Sequence, residues 1–426
     1  MASSNQLQGD QGDQGDQGDQ GDQGDQGDQG DPGGFASIEE SGPSVAGGPG
    51  SFSLLLPGGS GSAGAGLIHS REAMIMSFDD NPPAIRQKQS FREASEDGLP
   101  EVQGLRRFDA CSFDIRQVNL LAELLRSLRL DAYATGHRIE LNHVELEPGT
   151  TEPGAGSYKS YLIFSISRPK ADVFAGSQLK LVHQWAELRA ERLSELSSQL
   201  GLPWRYWAPV VDLNPTTYPR TLELIALVVR LGYHLLQPTK HYLGCPRPTS
   251  YSPSIQPVIR PRRFDAFPSG HAMEAFLVAR MLALLAGGGA TRDDALNTQL
   301  QRMAARIASN RIVAGVHFHL DSIGGRMVAE SLAEYFVHRC QADAGMSAGW
   351  VPRRFAGAEL TGEEDELASA FNRKEIMHGE GVVSPYFLGN KDAVPLTPSL
   401  RAGAVIDVDG PGMLNRLWLG ALAEWQ

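Results

Sequence analysis

KHYLGCPRP at residues 240–248, PSGH at 268–271 and RIVAGVHFHLD at 311–321 decide how this chain is read. Together they spell K-x6-R-P, then P-S-G-H, then R-x5-H-x3-D. Each lies where an apolar, helix-spaced run begins or ends. Three cations (Lys240, Arg247, Arg311), two histidines (His271, His317) and a glycine-containing turn suit a tetrahedral oxyanion such as phosphate or vanadate. Guanidinium groups offer paired donors to such an ion, and an ammonium adds a compact charge.

The runs around these stretches are helical in pattern. Gln178 to Leu200 carries Leu181, Trp185, Leu188, Leu193 and Leu196 at helical spacing and stops at Gly201 and Pro203. Pro219 opens a helix over Arg220 to Leu236, which Pro238 is expected to end or kink. A proline-rich loop follows from Gly244 to Phe267. Helices are expected again at His271 to Leu285, Arg292 to Val313 and Leu320 to Arg339. The central half thus reads as an all-α bundle with its polar motifs at helix ends and in loops.

Upstream, Ile115 to Leu128 places Val118, Leu121, Leu125 and Leu128 on one expected helix face. His137 to Leu146 alternates, and Tyr158 to Ile166 is rich in β-branched and aromatic residues, so a small β-hairpin with a long loop is expected there. Residues Gln8 to Asp31 are eight QGD triplets. Without proline they do not read as collagen, and a solvated, disordered tail is expected over residues 1–100. The expected division is a tail over 1–100, a helix-and-hairpin unit over 101–176, a catalytic bundle over 177–340 and an extension over 341–426, to which no chemistry is assigned.

Composition excludes several classes. Removing the eight repeat aspartates from the net charge of −12 leaves about −4, and no basic tail is present, so a nucleic-acid binder is not expected. Cys111, Cys245 and Cys340 show neither zinc spacing nor a disulfide framework. Cys245, two residues before Arg247, reads as a small buried hydrophobe. No uninterrupted apolar run reaches about 18 residues. The opening MASSNQLQGD lacks the charged and apolar regions of a signal peptide. A cytoplasmic protein with no membrane span is expected, and a homo-oligomer is allowed.

Individual residues take roles from their chemistry. Ser269 and Gly270 precede an apolar helix, whose first N–H groups and positive dipole end favour anions. His271, in its first turn, suits general acid–base work. If 317–321 is helical, His317 and Asp321 project on one side. A carboxylate on one imidazole nitrogen makes the other a better nucleophile or ligand. His319, two residues on, should point elsewhere and either support the site from behind or be structural.

All three motifs, in this order and spacing, resemble the type 2 phosphatidic acid phosphatase/vanadium haloperoxidase superfamily, over about Gln178 to Arg339. The resemblance implies a helical bundle of two four-helix halves. It implies that Lys240, Arg247, Ser269, Gly270 and Arg311 bind the anion and that His271 is the acid–base group. His317 would be either the nucleophile that forms a phosphohistidine or the ligand that bonds vanadium, with Asp321 orienting it. The family usually has Ser before the third-motif Arg. Here that residue is Asn310, a position away from the chemistry. Phe264, seven residues before His271, stands where the haloperoxidase branch often carries an aromatic or a second His. One reading is a haloperoxidase with vanadate as cofactor, and hydrogen peroxide and halide as substrates. The other is a soluble phosphatase acting on phosphate esters with no cofactor. A non-catalytic anion-binding scaffold is the third, against which stands the presence of every expected group.

Overall fold

The computed structural model describes residues 108, 111–135, 137–146, 158–200, 206–261, 264–290, 295–341, 350–360, 388–389 and 412–426. The expected disordered tail and much of the extension lie outside them. In chain order the elements are α1 (Phe113–Arg126), β1 (Leu128–Tyr133), β2 (Arg138–Leu146), β3 (Tyr158–Ser167), α2 (Leu179–Trp185) and α3 (Arg189–Ser198). Then come α4 (Pro219–Leu243), α5 (Gly270–Ala286), α6 (Ala295–Val313), α7 (His319–Gln341), β4 (Arg353–Ala356), β5 (Leu388–Gly389) and α8 (Met413–Ala423).

Helix α5 is apolar almost all round, from Ala272 and Met273 to Leu285, and a helix of that kind belongs in the interior. It lies against α4, α6 and α7. One apolar core runs from Phe108 to Ala421 and joins these helices to α1, α8 and the sheet. Pro219 starts α4 at a position where its missing N–H costs nothing. The next two N–H groups, of Arg220 and Thr221, donate to the Glu424 carboxylate at 2.6 and 2.8 Å. The C-terminal helix thereby caps the N-terminus of α4.

Pro238 does not end α4, one of the two outcomes expected of it; it lies inside the helix. The helix continues to Leu243 because Thr239, Lys240 and Leu243 are buried past the proline. The expected single helix over 178–200 is three pieces. A π-type turn at Phe174–Gln178, non-helical at Gly176, leads into α2, and a short 3-10 turn, Ala186–Leu188, joins α2 to α3. In α1 the expected face is displaced. Val118 is 63% exposed, while Gln117, Leu120 and Leu124 are buried. Gln117 can lie inside because its Nε2 donates to the Glu223 backbone oxygen at 3.0 Å. Leu128 belongs to β1, not to the helix.

The largest correction concerns fold class. The hairpin β2–β3 exists, but it is the centre of a five-stranded mixed sheet in the order β1-β2-β3-β4-β5. β1 and β2 flank antiparallel, β4 joins β3 in parallel, and β4–β5 is antiparallel. The protein is therefore mostly helical with a sheet, not all-α. β4 has four residues and pairs with a strand far back in the sequence, so no local alternation announces it.

The sheet docks on α7 through a buried polar hub. Arg339 Nη1 donates to Tyr335 Oη at 3.2 Å, and Tyr335 Oη is 2.8 Å from His143 Nδ1. His143 Nε2 lies 3.3 Å from Glu145. The Trp350 ring stands edge-on to His143 and His338. Arg353 of β4 grips Glu334 of α7 at 2.6 and 3.0 Å.

Burial lowers the pKa of His143 to about 3, and of His338 and His319 to about 4. The unfolded chain takes up these protons near pH 6.5, while the folded one refuses them until pH 4 or below. Stability therefore falls as pH drops from about 7 to 5, by roughly 1.4 kcal/mol per pH unit for each such histidine. Urea midpoints across this range should show the slope, and His338→Phe should reduce it by about one histidine's share.

Candidate active site

Lys240 projects from the last turn of α4, which Gly244 closes in the left-handed conformation at φ 59°. It is 2% exposed. Its Nζ donates to the backbone oxygens of Asp265 and Ala266 at 3.2 and 2.9 Å. Burial, and then the charge of Arg247, lower its pKa to about 7. Arg247 caps the short helix Pro248–Tyr251. Its guanidinium spans the loop, with Nε to Phe264 O at 3.0 Å and Nη1 to Val316 O at 2.9 Å. The Phe264 ring covers both cations, 5.4 Å from Lys240 Nζ and 5.2 Å from Arg247 Cζ, while remaining 36% exposed.

His317 sits between this guanidinium and a carboxylate. Its Nε2 is 2.9 Å from Arg247 Nη1, and its Nδ1 is 2.9 Å from Asp321 Oδ2. A guanidinium can only donate, so Nε2 accepts and Nδ1 carries the hydrogen. The ring is thus the neutral Nδ1–H tautomer. Burial, then Arg247, Lys240, His271 and Arg311, all push its pKa well below the ordinary value. His317 and Asp321 do not share a helix. His317 lies outside α7, and Asp321 in its first turn reaches back. Asp321 Oδ2 also accepts the Phe318 N–H at 2.8 Å, so the chain enters α7 already folded around the pair. Burial raises the Asp321 pKa, while the Phe318 N–H and Lys240 oppose that rise.

The PSGH turn is tied to the same residue. Ser269 N–H donates to the Asp321 backbone oxygen at 2.8 Å. The Ser269 side chain caps α5 by accepting the Ala272 N–H, and its own hydroxyl hydrogen remains to donate. Gly324 and Gly325 make this approach feasible. A Cβ on Gly325 would sit 2.5 Å from Ser269 O, and one on Gly324 would sit 2.7 Å from the Phe267 ring. Gly270 opens α5, and His271, half-buried in its first turn, is close enough for its charge to act on His317. The protein's own packing does not demand a glycine at 270, where a Cβ would meet Leu236 at an ordinary 3.7 Å.

Arg311 lies in the last turn of α6 and is 1% exposed. Its Nη2 donates to Gln199 Oε1 at 3.0 Å and Leu196 O at 3.3 Å. Its Nε and Nη1 are buried with no hydrogen-bond partner. Two unmatched cationic donors in the interior cost several kcal/mol unless something anionic meets them. His319 stands edge-on to Trp185 at 4.6 Å, inside the core. Cys245 is buried, and burial raises its thiol pKa.

Arg247 and Asp321 thus bond His317 directly, and the charges of Lys240, His271 and Arg311 act on it. Sequence reading missed the wall behind them. Arg189 donates to the backbone oxygens of Val313, Gln256 and Ile255, each at 2.9 Å. It thereby pins the turn through Gly315, whose φ is +80° and where a Cβ would lie 2.7 Å from Arg189. Gln178 Oε1 accepts the Leu320 N–H at 3.0 Å. Arg189, Arg192 and Gln199 recur three and seven residues apart, a polar stripe beside the leucines that apolar periodicity overlooks. Asn310 is not remote from the site. It is fully buried and bonds both Arg192 and Gln199.

Residues 222–344 match the model of the PAP2 superfamily. Over that segment, less than half of its length, the chain is similar to the superfamily. The matched segment runs from α4 through α7 and contains every motif residue named above. The superfamily includes phosphatases and haloperoxidases. No curated protein matches the chain. Among the described residues no helix is long and apolar enough to cross a membrane. Nor does any group of three or more His, Cys, Asp or Glu there form a cation site.

Lys240 gives the site a pH signature. An anion favours the charged lysine, which the protein without one begins to lose above about pH 7. Sulfate does not titrate in this range. Its affinity should therefore fall as pH rises from 7 to 9, by up to about ten-fold per unit. Calorimetric titration checks this, and Lys240→Met should bind weakly with that pH step removed.

Proposed function

We propose that the chain is an enzyme that holds a tetrahedral oxyanion against His317 Nε2, and that the oxyanion is vanadate in a haloperoxidase acting on hydrogen peroxide and halide. The observation that carries the anion reading is the buried Arg311 guanidinium with Nε and Nη1 unmatched, beside Lys240 and Arg247, the charges of all three acting on His317. The donor set fits vanadate: one neutral imidazole lone pair for the metal, and Lys240, Arg247, Arg311, the Ser269 hydroxyl and the Gly270 N–H for its oxygens. Phe264 favours the haloperoxidase branch, since its half-exposed ring gives the cationic site an apolar wall where a halide could shed water.

When bound, vanadate would supply a Lewis-acidic centre that activates peroxide. The chain's own residues do the rest. Asp321 keeps the proton on His317 Nδ1, so that Nε2 keeps its lone pair, which Arg247 Nη1 meets at 2.9 Å and would give up to the bound group. Lys240, Arg247 and Arg311 offset the negative charge. Oxidising halide with peroxide consumes one proton and releases water, and His271, at the half-buried edge, is placed to deliver that proton.

One observation supports the phosphatase alternative: every group for metal-free phosphoryl transfer is in the chain. His317 is neutral and oriented for attack on phosphorus, and His271 can protonate the leaving alcohol. A paired assay separates the two. Metal-stripped protein is tested on p-nitrophenyl phosphate, and vanadate-loaded protein on bromination of a dimedone-type reporter. The expected result is bromination that needs vanadate and falls at least about a hundred-fold in His317→Ala. Hydrolysis without metal, inhibited by vanadate and with no bromination, would make the protein a phosphatase.

A further inference from the structure

The motif residues all lie within 222–344, yet the atoms that aim Arg311 come from outside that segment. Gln199, just past α3, is 1% exposed. Its Oε1 accepts two bonds, from Arg311 Nη2 and from Asn310 Nδ2, each at 3.0 Å. Asn310 Oδ1 in turn accepts from Arg192 Nη1 at 3.1 Å. Leu196 O receives the other bond of Arg311 Nη2. A further contact holds α3 to α6, with Glu195 fork-bonded to Arg306 at 2.8 to 3.1 Å. One edge of the Arg311 guanidinium is therefore fixed to α3, and Nε and Nη1 are left unmatched.

We propose that Gln199 is a positioning residue that sets the direction of the Arg311 guanidinium, so that the two remaining donors meet the oxyanion. A planar fork rewards such fixing, because both donors are aligned once one edge is held. A neutral amide suits the task better than a carboxylate. It accepts both bonds without cancelling the charge that the anion needs. This inference rests on the anion-site reading above.

Three variants of the full chain test it, with inorganic phosphate as the probe in calorimetric titration: Gln199→Met, Arg311→Met and the double variant. Gln199→Met is expected to weaken phosphate binding about ten-fold, the size of one charge-assisted hydrogen bond. In the Arg311→Met background the same change should do nothing further, because its effect passes through Arg311. A merely structural role would weaken both backgrounds alike, and that result would overturn the proposal. Should Gln199→Met fail to fold, Gln199→Leu carries the same cycle. It removes the acceptor without adding charge, so affinity drops only where Arg311 is present. An equal drop in both backgrounds again sinks the idea. Unchanged phosphate affinity in Gln199→Met, with clear loss in Arg311→Met, refutes the positioning role alone. No loss in Arg311→Met refutes the anion site itself.

Discussion

A neutral imidazole held between one carboxylate and one guanidinium organises this protein. Asp321 fixes the proton on His317 Nδ1, and Arg247 faces the lone pair on Nε2. The pair is built by the chain's course, not by helix periodicity. Phe318 N–H closes on the same carboxylate oxygen, and the Asp321 backbone oxygen receives Ser269 N–H from the PSGH turn. One residue thus joins the second motif to the third. That junction requires α7 to pass within backbone contact of the turn, which the Gly324–Gly325 pair permits and any Cβ at 325 would block.

Around this junction positive charge is concentrated. Lys240, Arg247 and Arg311 are all buried, and the carboxylate among them already serves His317. An interior of this kind is unfavourable when empty, and the lowered pKa of Lys240 is one way the protein relieves it. The same imbalance makes an arriving anion worth more than it would be at a surface, since the donors need little reorganisation. Stability and binding therefore oppose each other in the same few side chains.

The motif residues were legible because each lies in a short stretch whose spacing is itself the signal. Lys240 and Arg247, His271, and Arg311 through Asp321 could be named without knowing where the chain goes. The supporting wall could not. Gln199, Arg189 and Gln178 act through pairings with residues more than sixty positions away, and a reading weighted to leucines passes over them. The sheet was half legible for a similar reason. Strands β2 and β3 declare themselves by composition, but β4 is four residues whose identity as a strand depends on its partner. In α1, Val118 misled because apolar periodicity assigns a face without knowing that Gln117 finds a buried carbonyl.

The position of Lys240 shows how distant segments bear on the site. At 25 residues α4 spans about 37 Å, with the lysine in its last turn. Its far end is held by segments on either side of the matched one. Glu424 caps its first N–H groups, and the buried Glu223 carboxylate pairs with Arg116 of α1 at 2.6 and 3.0 Å and with Arg220 at 2.8 Å. A helix is stiff along its axis, so fixing one end sets the depth of the other. The flanks outside the matched segment therefore do more than cover apolar surface. They set how far Lys240 reaches toward the PSGH turn, where Asp265 and Ala266 receive its ammonium.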